Sequence, residues 1–136
     1  MGKLEEAREI FSKDRYAVKM TGAQIEEVGE NYARCSMRLT ENHRNAYGGV
    51  MGGSIYTLAD FAFAVASNFE QENLTVSLVG QATFLNMSRG NILYAEARLI
   101  KDGRTNCFYE VSIKVELGKD IAVVSFTVAH VNRTLK

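Results

Sequence analysis

The stretch GSIYTLADFAFAVASNF, residues 53–69, carries one charge, Asp60. Its ADFAFAVA portion is rich in alanine, a strong helix former, and is too uniformly apolar for a half-exposed helix. A helix apolar on nearly every side needs cover on more than one side. A carboxylate left in such surroundings is either paired or functional.

The rest of the chain supplies the cover. Downstream lie four long β-rich runs, 75–86, 91–101, 105–117 and 121–132, separated by the polar, glycine-bearing breaks SRGN, KDGR and LGKD. In the third run Cys107, Tyr109, Val111, Ile113 and Val115 alternate with Phe108, Glu110, Ser112, Lys114 and Glu116. That period of two marks a sheet with one dry face and one wetter face. No proline occurs anywhere, so no ladder loses a donor. Upstream, Leu4, Ala7, Ile10 and Phe11 recur at helical spacing in 3–14. From Tyr16 onward the texture turns to β-type, and 17–30 and 31–40 read as a hairpin turning at 29–31. The expectation is a single α+β domain over 1–136, a long central helix wrapped by a curved, mostly antiparallel sheet of five to six strands.

Composition narrows the function. The chain is 46% hydrophobic and 24% charged, with sixteen basic and sixteen acidic residues. A zero balance argues against nucleic acid as partner, since phosphate binding leaves a basic excess. The first fifteen residues have no apolar core of a signal peptide, and no run reaches the roughly 18–20 apolar residues of a membrane span, so a cytoplasmic protein is expected. Cys35 and Cys107 lack CxxC spacing and read as reduced, semi-buried thiols. Two histidines, His43 and His130, show no ligand spacing, so neither a metal nor any other cofactor is expected.

The chemistry concentrates in His43-Arg-Asn45-Ala-Tyr47-Gly48-Gly49-Val-Met51-Gly52-Gly53, followed by Asp60. Glycines before a helix let backbone amides approach a ligand closely. The first amides of a helix lack internal partners and sit at the positive end of its dipole, where they suit a developing oxyanion. Gly52 would offer its N–H and Asn45 its side-chain amide; alternatively, the glycines serve only a tight loop. Asp60 would act as general base or as nucleophile, or else as a packing contact through a salt bridge or hydrogen bond. Gly52 and Asp60 are eight residues apart, about 12 Å along a helix. A reacting carbonyl has to lie within about 3–3.5 Å of its attacker, so one subunit cannot supply both groups. Two helices antiparallel about a two-fold axis would, which predicts a homodimer with two shared sites.

The pattern His43, Asn45, Gly48, Gly52, Gly53 and Asp60 resembles the hotdog-fold thioesterases of the phenylacetate-degradation (PaaI-like) group, whose signature is H-x-N-x-x-G-x-x-H-G-G and then an aspartate on the central helix. The resemblance extends through the later strands and covers nearly the whole chain. It departs at Met51, where the group has its second histidine, and at 84–88, FLNMS here, where the group has F-x-R-P-A. It implies a hotdog fold, acyl-CoA thioester hydrolysis of medium-chain or aromatic acyl groups, and dimers often paired into tetramers. It also places Ser77 where relatives hold the lytic water, unless this is merely a solvent-facing strand serine. His43 and Asn45 would shape the loop or the site. Met51 removes an acid for the leaving group, yet a thiol with a pKa near 8.5 departs as thiolate without one. Tyr47, Met51, Gly53, Ile55, Phe61 and Phe84 are expected around the acyl group. Arg89, Lys101, Arg104 and Arg133 are candidates for the phosphates of coenzyme A. A non-catalytic acyl-CoA or acyl-carrier binding module is the competing reading, favoured by Met51. A hydratase would need a histidine beside the carboxylate, which the helix lacks.

Overall fold

A computed structural model describes residues 2–131. The elements run α1 (Lys3–Phe11), a π-helical turn (Tyr16–Met20), β1 (Ala23–Gly29), β2 (Tyr32–Arg38), a 3-10 turn (Glu41–His43), α2 (Gly52–Asn68), β3 (Leu74–Phe84), β4 (Ile92–Asp102), β5 (Asn106–Val115) and β6 (Asp120–Val131). All strand pairs are antiparallel, in the order β1-β2-β4-β5-β6-β3. The α+β architecture, with α2 packed across all six strands, is the one expected from residues 53–69 and the alternating runs.

One expected strand segment is wrong. Residues 16–20 wind into a helical turn, held by the Val18 amide on the Asp14 carbonyl, the Thr21 amide on the Tyr16 carbonyl and the Thr21 hydroxyl on the Ala17 carbonyl. Gly22, at φ +81°, then reverses the chain into β1, a left-handed conformation that glycine adopts without strain. The β-type texture from Tyr16 onward suggested a strand; local hydrogen bonds outweigh that weak preference.

The core is one layer between helix and sheet. Leu58 and Val65 of α2 meet Cys35, Met37, Leu93, Val111, Ile113, Val124 and Val128, all fully buried. On β5, burial alternates as the sequence does, with Cys107, Tyr109, Val111, Ile113 and Val115 inside. Burying a side chain the size of Leu58 is worth about 1.5–3 kcal/mol. Both cysteines are buried and free. Among the described residues, no helix is long and apolar enough to cross a membrane.

The cover over α2 is incomplete, and this corrects the expectation that Asp60 is buried. Leu58, Ala59, Phe61, Ala62 and Phe63 are buried, whereas Gly53 and Asp60 lie on an exposed face of the helix. Beside that face runs β3, at the edge of the sheet and exposed along most of its length. Val76, Leu78, Val79 and Phe84 are each about half accessible, at 49%, 59%, 59% and 54%. The helix is apolar all round because one sheet covers only part of it.

Candidate active site

The loop before α2 is held by its own polar groups. His43 is buried; its Nδ1 accepts the Thr40 amide at 2.9 Å, and its Nε2 lies 2.7 Å from the Thr21 carbonyl oxygen. Both ring nitrogens are thus engaged in joining the loop to the end of the π-helical turn. Asn45 Oδ1 accepts the amides of Tyr47 at 2.9 Å and Gly49 at 3.1 Å. No hydrogen bond within the described residues engages its Nδ2, which remains available as a donor. Met51 caps α2 with extended backbone and no side-chain bond, so the Gly52 and Gly53 amides have no acceptor among the described residues.

These donors open on a cavity of about 620 Å³ lined by Asn45, Gly49, Gly52, Ile55, Phe84 and Met87, among others. Four of the expected site residues, Asn45, Gly52, Ile55 and Phe84, therefore share one apolar hollow. The Phe84 ring lies over Gly52, and a Cβ there would come within 3.0 Å of it. Phe61 does not join them. It packs edge-to-face on Phe11, with centroids 6.4 Å apart, and lines a separate cavity with Arg8 and Ile25. Tyr47 is almost wholly exposed, and Met51 is half exposed beside the hollow's edge rather than lining it.

Asp60 stands about 12 Å farther along α2. It makes no hydrogen bond or ion pair among the described residues, so the packing salt bridge left open by the sequence is not found among them. Although accessible from one side, the carboxyl is pushed above its ordinary pKa by partial burial and, secondarily, by the charge of Asp14. Asp14, in the turn after α1, is raised by burial as well.

Tyr56, one turn before Asp60, is not singled out by the sequence pattern. Its ring packs on Phe126 at 5.8 Å, and its hydroxyl occupies the space a Cβ of Gly80 would fill. Burial and the charge of Asp60 raise the phenol's pKa. A lone glycine inside β3 was the available signal, since it marks close approach of another group. The Thr75–Ser67 hydrogen bond and the Gly80–Tyr56 contact bracket Ser77 and Asp60, which consequently sit at similar height along α2. Ser77 is exposed, where the β3–β6 register shifts.

The cations are scattered. Arg89 is exposed in the β3–β4 loop at the Gly52 end, while Lys101 and Arg104 are exposed at the opposite end of the sheet. Arg133 lies outside the described residues.

A six-stranded antiparallel sheet curved about one long helix, with free glycine amides at the helix start and a carboxylate about two turns on, is the hotdog architecture expected of the thioesterase group. The family model described as "Thioesterase superfamily" matches residues 47–122, and the chain belongs to that family as a PaaI-like thioester hydrolase. An Archaeoglobus fulgidus protein named as a candidate esterase is 32% identical over 95% of this chain and 84% of its own length. The acyl-coenzyme A thioesterase PaaI of Escherichia coli is 27% identical over 88% of this chain and 84% of its own length. The solved E. coli PaaI protein superposes with a TM-score of 0.85 at 24% identity, covering 95% of this chain and 94% of that one. A Streptococcus pneumoniae thioesterase solved with coenzyme A gives 0.80 at 19% identity, covering 88% and 95%.

Proposed function

We propose that the chain is a single-domain enzyme that hydrolyses acyl-CoA thioesters with medium-chain or aromatic acyl groups, at sites shared between two copies. The observation that carries this reading is the separation on α2 of an unpaired carboxylate from unpaired amides. Each group is open to solvent, and neither completes a site alone. A second copy with its α2 antiparallel brings the partner's Gly52 opposite Asp60. The exposed apolar β3 edge supports such pairing, because an uncovered edge strand is a template for another strand. Its apolar side chains also invite cover. Pairing of dimers into tetramers extends the same reading.

In the chemistry, the Gly52 amide, with Asn45 Nδ2 beside it, receives the negative charge that develops on the thioester oxygen. Asp60 either takes a proton from water, whose oxygen attacks the carbonyl carbon, or attacks that carbon itself to give an anhydride that water cleaves. Ser77 would hold the water. The tetrahedral intermediate expels the thiolate, a leaving group stable enough to need no acid at Met51. Ile55, Phe84 and the other walls of the 620 Å³ hollow receive the acyl chain. His43 acts through the loop it braces, while Tyr47, Gly53 and Met51 lie at the rim and Phe61 backs the helix. Coenzyme A, present in the S. pneumoniae relative, supports CoA as carrier, with Arg89 and Arg104 as candidate phosphate contacts.

A panel of acyl-CoA thioesters assayed by thiol release tests the reading. Asp60→Asn should keep fold and assembly and lower turnover by about 10²–10⁴-fold, the usual contribution of a general base. Equal turnover in the variant removes Asp60 from the chemistry. Tight thioester binding by the wild type with no thiol released would instead favour the binding-module reading that Met51 raises.

A further inference from the structure

The end of the sheet remote from Gly52 gathers three donors that the sequence keeps apart. Asp102 closes β4, Cys107 lies opposite it in register as the second residue of β5, and His130 lies next to the end of β6, two residues beyond Val128, the partner of Cys107. Alternation puts them on one face of three neighbouring strands. One ligand atom from each lies within 4.8 Å of the other two, and His130 Nε2 is 2.9 Å from Asp102 Oδ1. The cluster borders a cavity of about 390 Å³, polar in lining, which Asn31, Glu72, Asn73 and Thr75 also border. No histidine spacing announced this group, because pairing of distant strands creates it.

We propose that Asp102, Cys107 and His130 form a site for one borderline-soft divalent cation of the zinc class. The donor set is nitrogen, sulfur and carboxylate oxygen, which suits zinc and its neighbours and is a poor match for magnesium or calcium. Thiolate and carboxylate together neutralise a doubly charged ion. The short His130–Asp102 contact already brings two donor atoms together around a proton, and the cation takes that proton's place. His130 binds through Nε2 with its proton on Nδ1, Asp102 through Oδ1, and the Cys107 thiol releases its proton to solvent as sulfur joins the ion. A water in the adjoining cavity completes four-coordination.

The alternative for such a trio is a cysteine nucleophile activated by histidine. Burial and the charge of Asp102 both push the Cys107 thiol up, away from the thiolate a nucleophile requires. A cation reverses that balance; a bare histidine–aspartate pair does not. Glu72 lines the cavity and adds negative potential, while Glu70 is held by Lys3 at 2.7 Å. The bound ion would tie β4, β5 and β6 together, at a distance from Asp60, so the inference does not depend on the proposed catalytic reading.

Cobalt titration of the reduced, chelator-treated full chain tests it. The expected result is a thiolate-to-cobalt charge-transfer absorption in the near ultraviolet, saturating at equimolar metal and displaced by zinc. It should persist in Cys35→Ala and vanish in Cys107→Ser. His130→Gln and Asp102→Asn, both at accessible positions, should each weaken binding by at least about tenfold. Circular dichroism verifies folding of each variant, and these two surface changes carry the test should Cys107→Ser fail to fold. Absence of the band in the wild type, its survival in folded Cys107→Ser, or unchanged affinity in both surface variants overturns the proposal.

Discussion

Asp60 is the residue on which charge and accessibility conflict. Its carboxyl is raised by burial first and by Asp14 second, so the folded protein holds that proton more firmly than the unfolded chain does. A raised carboxyl costs stability once ionised: the fold gains as pH falls through the folded pKa toward the ordinary value, and loses as pH rises. Asp60→Asn should therefore raise the melting temperature at pH 7, with the gain shrinking in acid; a lower melting temperature at pH 7 would contradict this. In the proposed reaction the same shift sets the acid limb of activity. If Asp60 acts ionised, kcat/KM should fall in acid with a midpoint above the ordinary aspartate value of about 3.9. Asp14→Asn, which removes a like charge, should move that midpoint downward, and an unmoved limb would separate Asp14 from Asp60. The chemical singularity of Asp60 was legible in the sequence, because one charge among apolar residues is conspicuous. Its exposure was not, since periodicity shows that a helix is apolar all round but not whether its own chain or another covers it. A loop-shaping role for His43 and Asn45 was legible as one of two readings, but its partners, such as Thr21, were not, because only the fold brings them near.

At the scale of elements, one of the close meetings of β3 with α2 depends on a single small residue. Gly80 leaves room for the Tyr56 hydroxyl, and a methyl group there would also come within 3.0 Å of Phe126. Gly80→Ala should destabilise by about 1–3 kcal/mol, the usual cost of overpacking. Tyr56→Phe in the same chain should recover part of that loss in denaturant unfolding; additive costs would show that the two residues do not compete for this space. The strands themselves were readable, because alternation on β5 and polar breaks such as LGKD are local signals. Sheet order was not. Nothing near residues 74–84 says that this run pairs with β6 and stays at the edge, nor that 16–20 coils before β1 begins. The metal-type cluster escaped for the same reason: Asp102, Cys107 and His130 meet only after three strands align.

The whole molecule keeps the two proposed catalytic groups apart. A free amide end and a free carboxylate share one helix, separated by too great a length to act on the same carbonyl, and the sheet beside them ends in an exposed apolar edge. Leu78→Lys, a charge set on that edge, should shift sedimentation from dimer toward monomer and remove turnover with it. A fully active monomer would detach catalysis from assembly. The most direct measurement is subunit mixing. Asp60→Asn abolishes the carboxylate, and Gly52→Pro deletes the amide at the first helical position, where proline is tolerated. Each variant alone should be nearly inactive. Refolded or co-expressed together, they should form mixed dimers in which one of the two sites regains both groups, restoring about half the wild-type turnover per mixed dimer. Verified mixed dimers that stay as inactive as their parents would contradict a site shared between subunits.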